Sequence, residues 1–389
     1  RYAAWAERRL DAPVQAHLWL RAGELYGRGG HRVEALEAFA RGRATTDTPE
    51  LVARLVASRG LVRANQGDLS EAEADYLAAI DALDRTGQPE LAGRTLGNLG
   101  LLRWWQGRND DARRCYDDAL QRLRAHGSMA FEAVVLGNRT ILEVEAQRLP
   151  EAAAGYEQVL ALHKAMGNVM FEGVVSGNLA EVWEQLGQHE RAHQAYERSL
   201  HLHRLCGDTM SEGLVLGNLG QLLLEEGDVA ASRDVLEHSA ALLVDAPPLY
   251  AALASGVASL AAQADGDLAA ARDHLLHAQP SLAQVGAAVV QRFVWARSAC
   301  VWADLGQVAE AEAFLEQAEA ADTSEPPGAL EAARAHLARA RGDDPRTHLD
   351  ALRALAEGSA AGRDPRIAWR ILSESQPVSA PRSSRAPEG

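Results

Sequence analysis

The chain has 389 residues, more than one ordinary globular domain holds, with 39 Lys and Arg against 54 Asp and Glu for a net charge of −15. That balance argues against nucleic acid and anionic membrane as main partners, because both need a basic face. Cys115, Cys206 and Cys300 lie far apart without CxxC spacing, which implies neither a disulfide framework nor a zinc cluster, and no stretch approaches the ~18 apolar residues of a membrane span.

Residues 1–13 read as a leading helix or linker, stopped near Asp11-Ala12-Pro13. They carry no signal-peptide pattern and no initiator Met, so the expectation is a cytoplasmic piece of a longer protein with an upstream effector domain. Lys164 is the sole lysine, and with abundant Ala this suggests a high-GC, bacterial coding sequence. From Trp19 the pattern is helix, turn, helix: Trp19, Ala22, Gly23 and Tyr26, a break at residues 27–30, then Ala35 and Phe39.

The same grammar continues down the chain. A turn glycine is followed five residues later by a small residue and nine later by an aromatic or Leu: Gly67, Ala72, Tyr76; Gly107, Ala112, Tyr116; Gly187, Ala192, Tyr196; Gly266, Ala271, Leu275; Gly306, Ala311, Leu315. One repeat departs, with Gln147 in the glycine slot and Pro150 in the first turn of the next helix, where its missing N–H has no intrahelical partner to lose. These intervals put small and large residues on one stripe, the gaps and knobs of an antiparallel helical hairpin. A last hairpin covers Ala329–Arg341 and a degenerate partner near His348–Glu357; residues 359–374 read as a terminal helical segment, and 375–389, rich in Pro, Ser and Arg, as a disordered tail.

The middle of the chain repeats one phrase. Gly97-Asn98 returns as Gly137-Asn138, Gly177-Asn178 and Gly217-Asn218, a fixed period of 40 residues. Such a period signals stacked units, none able to bury its apolar face alone. Gly inside a helix costs about 0.8–1 kcal/mol relative to Ala, so a pair kept four times needs a reason. Two stay open: Gly admits a neighbouring helix while Asn bonds between repeats, or the asparagines form an amide ladder for an extended ligand.

The pattern W-x2-[AL]-G-x2-Y followed by A-x3-[YF]-x2-A resembles the tetratricopeptide repeat over about residues 14–345. The 40-residue variety is similar to repeats of kinesin light chains, of Leu-Gly-Asn-repeat proteins, and of sensor arms in bacterial signalling ATPases, kinases and cyclases. The resemblance implies an all-α, right-handed solenoid of about eight or nine hairpins over residues 14–358, without cofactor or catalysis. It implies a protein or peptide partner in the concave groove, with Asn98, Asn138, Asn178 and Asn218 facing it. Steps of three residues then add Leu101, Ile141, Glu181 and Gln221, and after them Trp104, Val144, Glu184 and Leu224, an apolar end and an acidic end. A carboxylate clamp would need lysines on this helix, and none is there. The alternative is a sensory or oligomerisation arm of a larger signalling protein.

His189-Glu190-Arg191-Ala192-His193 fits H-E-x-x-H, in which two histidines one turn apart ligate zinc beside a glutamate base. Ala192 is the packing residue of its repeat, and no Gly-x-x-His continuation supplies a third ligand, so a zinc hydrolase is a remote alternative. His163, His201, His203 and His238 read as solvated repeat residues.

Overall fold

The structure, a computed structural model, describes residues 11–282, 284, 286–321 and 328–357. The expected leading helix over 1–10, the segment 359–374 and the tail 375–389 lie outside the described residues. Among those described there are eighteen helices and no strand. No described helix is long and apolar enough to cross a membrane. The chain forms two compact units, residues 1–188 and 189–389.

The first unit contains α1 (Ala12–Arg28), α2 (Arg32–Ala44), α3 (Pro49–Ala64), α4 (Leu69–Arg85), α5 (Pro89–Trp105), α6 (Asn109–Ala125), α7 (Met129–Glu145), α8 (Leu149–Ala165) and α9 (Val169–Gln185). These are four helical hairpins and the first helix of another. The second unit begins with α10 (His189–Cys206) and continues as four hairpins. These are α11 (Thr209–Glu226) with α12 (Val229–Leu242), α13 (Pro248–Ala264) with α14 (Leu268–Leu282), α15 (Ala288–Asp304) with α16 (Val308–Ala320), and α17 (Gly328–Arg341) with α18 (Arg346–Glu357). The fold is an all-α repeat solenoid of the expected kind.

Its regularity comes from the turns. Gly67, Gly87, Gly107, Gly127, Gly167 and Gly187 all take positive φ, so the 40-residue period is two helix-plus-turn steps of 20. Only glycine enters this left-handed region freely, and the turn closes the helix by donating N–H bonds back onto its last carbonyls. Gln147, the exception in sequence, keeps the conformation at φ 55°.

Within each hairpin the small column receives the large one. A Cβ on Gly100 of α5 would stand 2.5 Å from the Tyr116 ring of α6, and one on Gly220 of α11 would run into Leu236 of α12. Tyr76 and Tyr116 are fully buried in consequence. Successive first helices touch: α1 with α3, α3 with α5 and α5 with α7 in the first unit, α11 with α13 and α13 with α15 in the second. In the first unit α2, α4, α6 and α8 each pack between their own first helix and the next, which leaves one face of α5, α7 and α9 uncovered.

Candidate functional site: the uncovered face of the first helices

On α5 the uncovered stripe is Arg94, Asn98, Leu101 and Trp105; on α7 it is Val134, Asn138, Ile141 and Glu145; on α9 it is Val174, Asn178, Glu181 and Gln185. At 100° per residue, spacings of four, three and four keep each set within about 60° of arc. Asn98, Asn138, Asn178, Leu101, Ile141 and Glu181 are half-buried, and the ends of the stripe are exposed.

The third step of the sequence expectation needs correction. Moving six residues from Asn98 to Trp104 falls about 120° short of full turns, whereas moving seven returns to within about 20°. Trp104 therefore leaves the stripe, packs against the core of the first unit and donates its indole N–H to Glu145 at 2.8 Å. Trp105 stands in the open, 46% exposed. Val144 packs on the same core, and Glu184 and Leu224 are buried, so Glu184 offers no exposed carboxylate. Arg94, Val134, Val174 and Trp105 are stripe residues that sequence reasoning missed. The 40-residue column Arg54, Arg94, Val134, Val174 was the signal that would have found them.

The amides are not equivalent. Asn178 hydrogen-bonds the hydroxyl of Tyr156 on α8, so this one ties neighbouring helices together. Burial, then the charge of Glu181, pushes Tyr156 up to about 12 against that bond. The matching hydroxyl of Tyr116 is buried without a partner, and Asn138 in the matching slot makes no hydrogen bond among the described residues; nor does Asn98. The glycines differ too. A Cβ on Gly97 would meet Val135 at 2.7 Å, but one on Gly137 would meet nothing within 4 Å.

In the second unit Asn218 and Gln221 of α11 are half-buried, and Gln221 donates to the Gly217 carbonyl at 3.3 Å. The next slots, Val257 and Arg297, are buried. Arg297 donates to Gln263, Gln263 donates to Asp304 at 2.6 Å, and the other Asp304 oxygen bonds His336 at 2.6 Å. Burial would raise Asp304, but the His336 bond, the Gln263 bond and the nearby cations win and hold it below the usual carboxylate range.

A cleft of about 640 Å³ opens on the side of the second helices, between α6, α7 and α8. Its floor holds Leu136, Gly155 and Arg139, which replaces the Leu of equivalent slots and bonds Asp117 at 2.6 Å.

Two histidine expectations change. His163 and His203 are buried, in the column that Leu83, Leu123 and Leu243 fill elsewhere. His163 stacks on Phe171 with centroids 5.4 Å apart, and burial holds both imidazoles below their usual value, against the opposing charges of Glu172 at His163 and of Asp208 and Glu212 at His203. His189 and His193 both bond Glu226 at the end of α11, at 2.8 and 2.9 Å. That carboxylate is a third group the local motif could not reveal. Even so, among the described residues no set of three His, Cys, Asp or Glu is arranged to hold a metal ion.

Residues 93–127, from the uncovered stripe of α5 through α6, match the family model of the tetratricopeptide repeat. That hairpin, α5 with α6, matches as a tetratricopeptide repeat. No curated protein matches the chain. Among solved structures, a signal-transduction ATPase with a tetratricopeptide repeat sensor from Pyrococcus horikoshii aligns with TM-score 0.61 and 15% identity, over 78% of this chain and 47% of that one. The apo quorum sensor NprR from B. thuringiensis aligns with TM-score 0.59 and 12% identity, over 81% and 90%. A Rap protein complexed with competence and sporulation factor aligns with TM-score 0.50 and 12% identity, over 78% and 85%. At these identities the likeness is one of fold: tetratricopeptide repeats stacked in series.

Proposed function

We propose that the chain is a non-catalytic scaffold that binds an extended peptide segment of a partner protein along the uncovered face of α5, α7 and α9. The observation that carries this reading is the pair of unengaged amides, Asn98 and Asn138, in equivalent slots of adjacent repeats. First helices packed about 9 Å apart would span about three residues of a strand each, so amides one repeat apart would meet every third peptide group. A neutral amide bond contributes only about 0.5–1.5 kcal/mol, so the amides would set register while Leu101, Ile141, Val134 and Trp105 supply apolar contact. Glu181 would bias the α9 end against acidic residues, and Asn178 would act through Tyr156 as packing. Asn218 and Gln221 would be the second unit's own counterparts of these positions.

The test is peptide binding by calorimetry with the Asn98→Ala/Asn138→Ala double variant. A loss of about tenfold or more is expected from a variant that melts like the parent. Unchanged affinity would assign both amides to packing. The same face would serve a sensory arm of a larger signalling protein equally well; a nucleotide-binding domain encoded in the same gene would add that role.

A further inference from the structure

The chain carries a large excess of acid, and its arginines are paired accordingly. On α3, Arg59 and Arg63 both grip Asp75, at 2.6 and 2.8 Å; on α5, Arg103 meets Glu73 at 3.2 Å. Among the described residues, Arg54 and Arg94 make no hydrogen bond and no ion pair; Arg28 is the other such arginine, and it sits at the C-terminal end of α1, where the helix dipole favours a cation. Arg54 and Arg94 occupy equivalent slots one repeat apart, on the uncovered face of adjacent, touching helices.

Their surroundings sharpen the anomaly. The Arg94 guanidinium lies 3.8 Å over the Phe131 ring of α7, which fixes its plane and leaves its N–H edge open. Burial holds Arg94 below its usual value; Glu90 and Glu24 pull it up, and repulsion from Arg54 and Arg21 works against them. Neither of those carboxylates is idle. Glu24 pairs with Arg21 at 2.7 Å, and Glu90 accepts from the Ser128 hydroxyl at 3.0 Å. Two like charges thus stand near one another on an open surface of an acidic protein, and among the described residues no carboxylate makes a direct ion pair with either. Past them the same column turns apolar, with Val134 and Val174 exposed beside Phe171 and Met170.

We infer that Arg54 and Arg94 form a carboxylate-binding site, taking an acidic side chain of an extended peptide whose neighbouring residues are bulky and apolar and lie on Val134, Phe171 and Val174. The inference rests on the peptide-binding reading above and names the chemistry of its ligand. A carboxylate entering between the two guanidinia receives charge-assisted, fork-shaped bonds and removes their mutual repulsion. The apolar half of the column then selects the peptide side chains about three residues away from that acid in either direction.

The experiment is selection of a random 12-residue peptide display library on the 389-residue chain, repeated on Arg54→Gln/Arg94→Gln and on Arg94→Lys. Peptides selected by the parent should carry Asp or Glu beside large apolar residues. Exchange of that acid for its amide should weaken a synthetic binder about tenfold or more, as loss of a charge-assisted bond does. The double Gln variant should select without acidic enrichment, and Arg94→Lys, which keeps the charge but not the fork, should retain part of it. Should the double variant not fold, the Lys variant and the amide exchange decide. Equal enrichment on parent and double variant, or an acid preference that vanishes only when the peptide C-terminus is amidated, overturns the site while leaving the peptide-binding reading intact. No selected peptide at all overturns both.

Discussion

Alanine at Gly137 and at Gly100 makes the same chemical change on equivalent helices, and the structure assigns the two opposite outcomes. Replacing a helix-interior Gly by Ala favours the folded state by about 0.8–1 kcal/mol through backbone entropy alone. At Gly137 nothing stands within 4 Å of the new methyl group, so that gain should appear nearly whole. At Gly100 the methyl would lie 2.5 and 2.7 Å from two carbons of the Tyr116 ring, which is fully buried and has nowhere to retreat. Overpacking of this kind costs about 1–3 kcal/mol, leaving Gly100→Ala level with the parent at best and about 2 kcal/mol below it at worst. Urea unfolding of the three proteins side by side reads both numbers. The Gly137→Ala protein should also bind its selected peptide less well, because the methyl occupies the space beside Asn138. A Gly137→Ala protein no more stable than the parent, or a Gly100→Ala protein more stable than it, would refute the packing argument; rising stability with unchanged affinity would refute the place given to the ligand.

Stability should fall as pH drops below about 6.5, because the unfolded chain then takes up protons at His163 and His203 while the buried, lowered imidazoles of the folded chain do not. The loss stops growing once pH passes below the lowered folded values, and His163→Leu, which restores the residue of Leu83 and Leu123, should flatten its share; urea midpoints between pH 7.5 and 5 measure both. Gln147→Gly should stabilise the first unit by about 1 kcal/mol, the order of the penalty for a side chain in the left-handed region, reduced by the added freedom of the unfolded chain. An unchanged unfolding midpoint would show that the turn carries no strain.

The repeat was legible in the sequence because its markers are local. Gly-Asn pairs, turn glycines and the small-then-large spacing each report on a helix or on one hairpin, and a hairpin is only about 40 residues of chain. The facing of individual residues was legible only in part. Counting Asn98, Leu101, Trp104 treats the helix as having three residues per turn; at 3.6 the drift turns Trp104 against the edge of the core and brings Trp105 out. His163 and His203 look polar in isolation, and only their alignment with Leu83 and Leu123 marks them as interior. The bond from Asn178 to Tyr156, like the Glu226 carboxylate between His189 and His193, joins separate helices and left no local trace.

The candidate surface differs from a uniform ladder in that the repeats diverge where they meet solvent. Asn178 is held by Tyr156, while Asn138 faces the same slot with Tyr116 left unpartnered below it. A purely structural amide would repeat its bond in each hairpin, since the geometry that permits it repeats. The column beside it changes from Arg54 and Arg94 on α3 and α5 to Val134 and Val174 on α7 and α9, with no direct ion pair to either guanidinium among the described residues. Packing needs favour sameness between stacked units, because each must fit the next. Variation along an uncovered stripe, with amides left unbonded and guanidinia left without ion pairs there, is the condition that recognition of one particular run of residues requires.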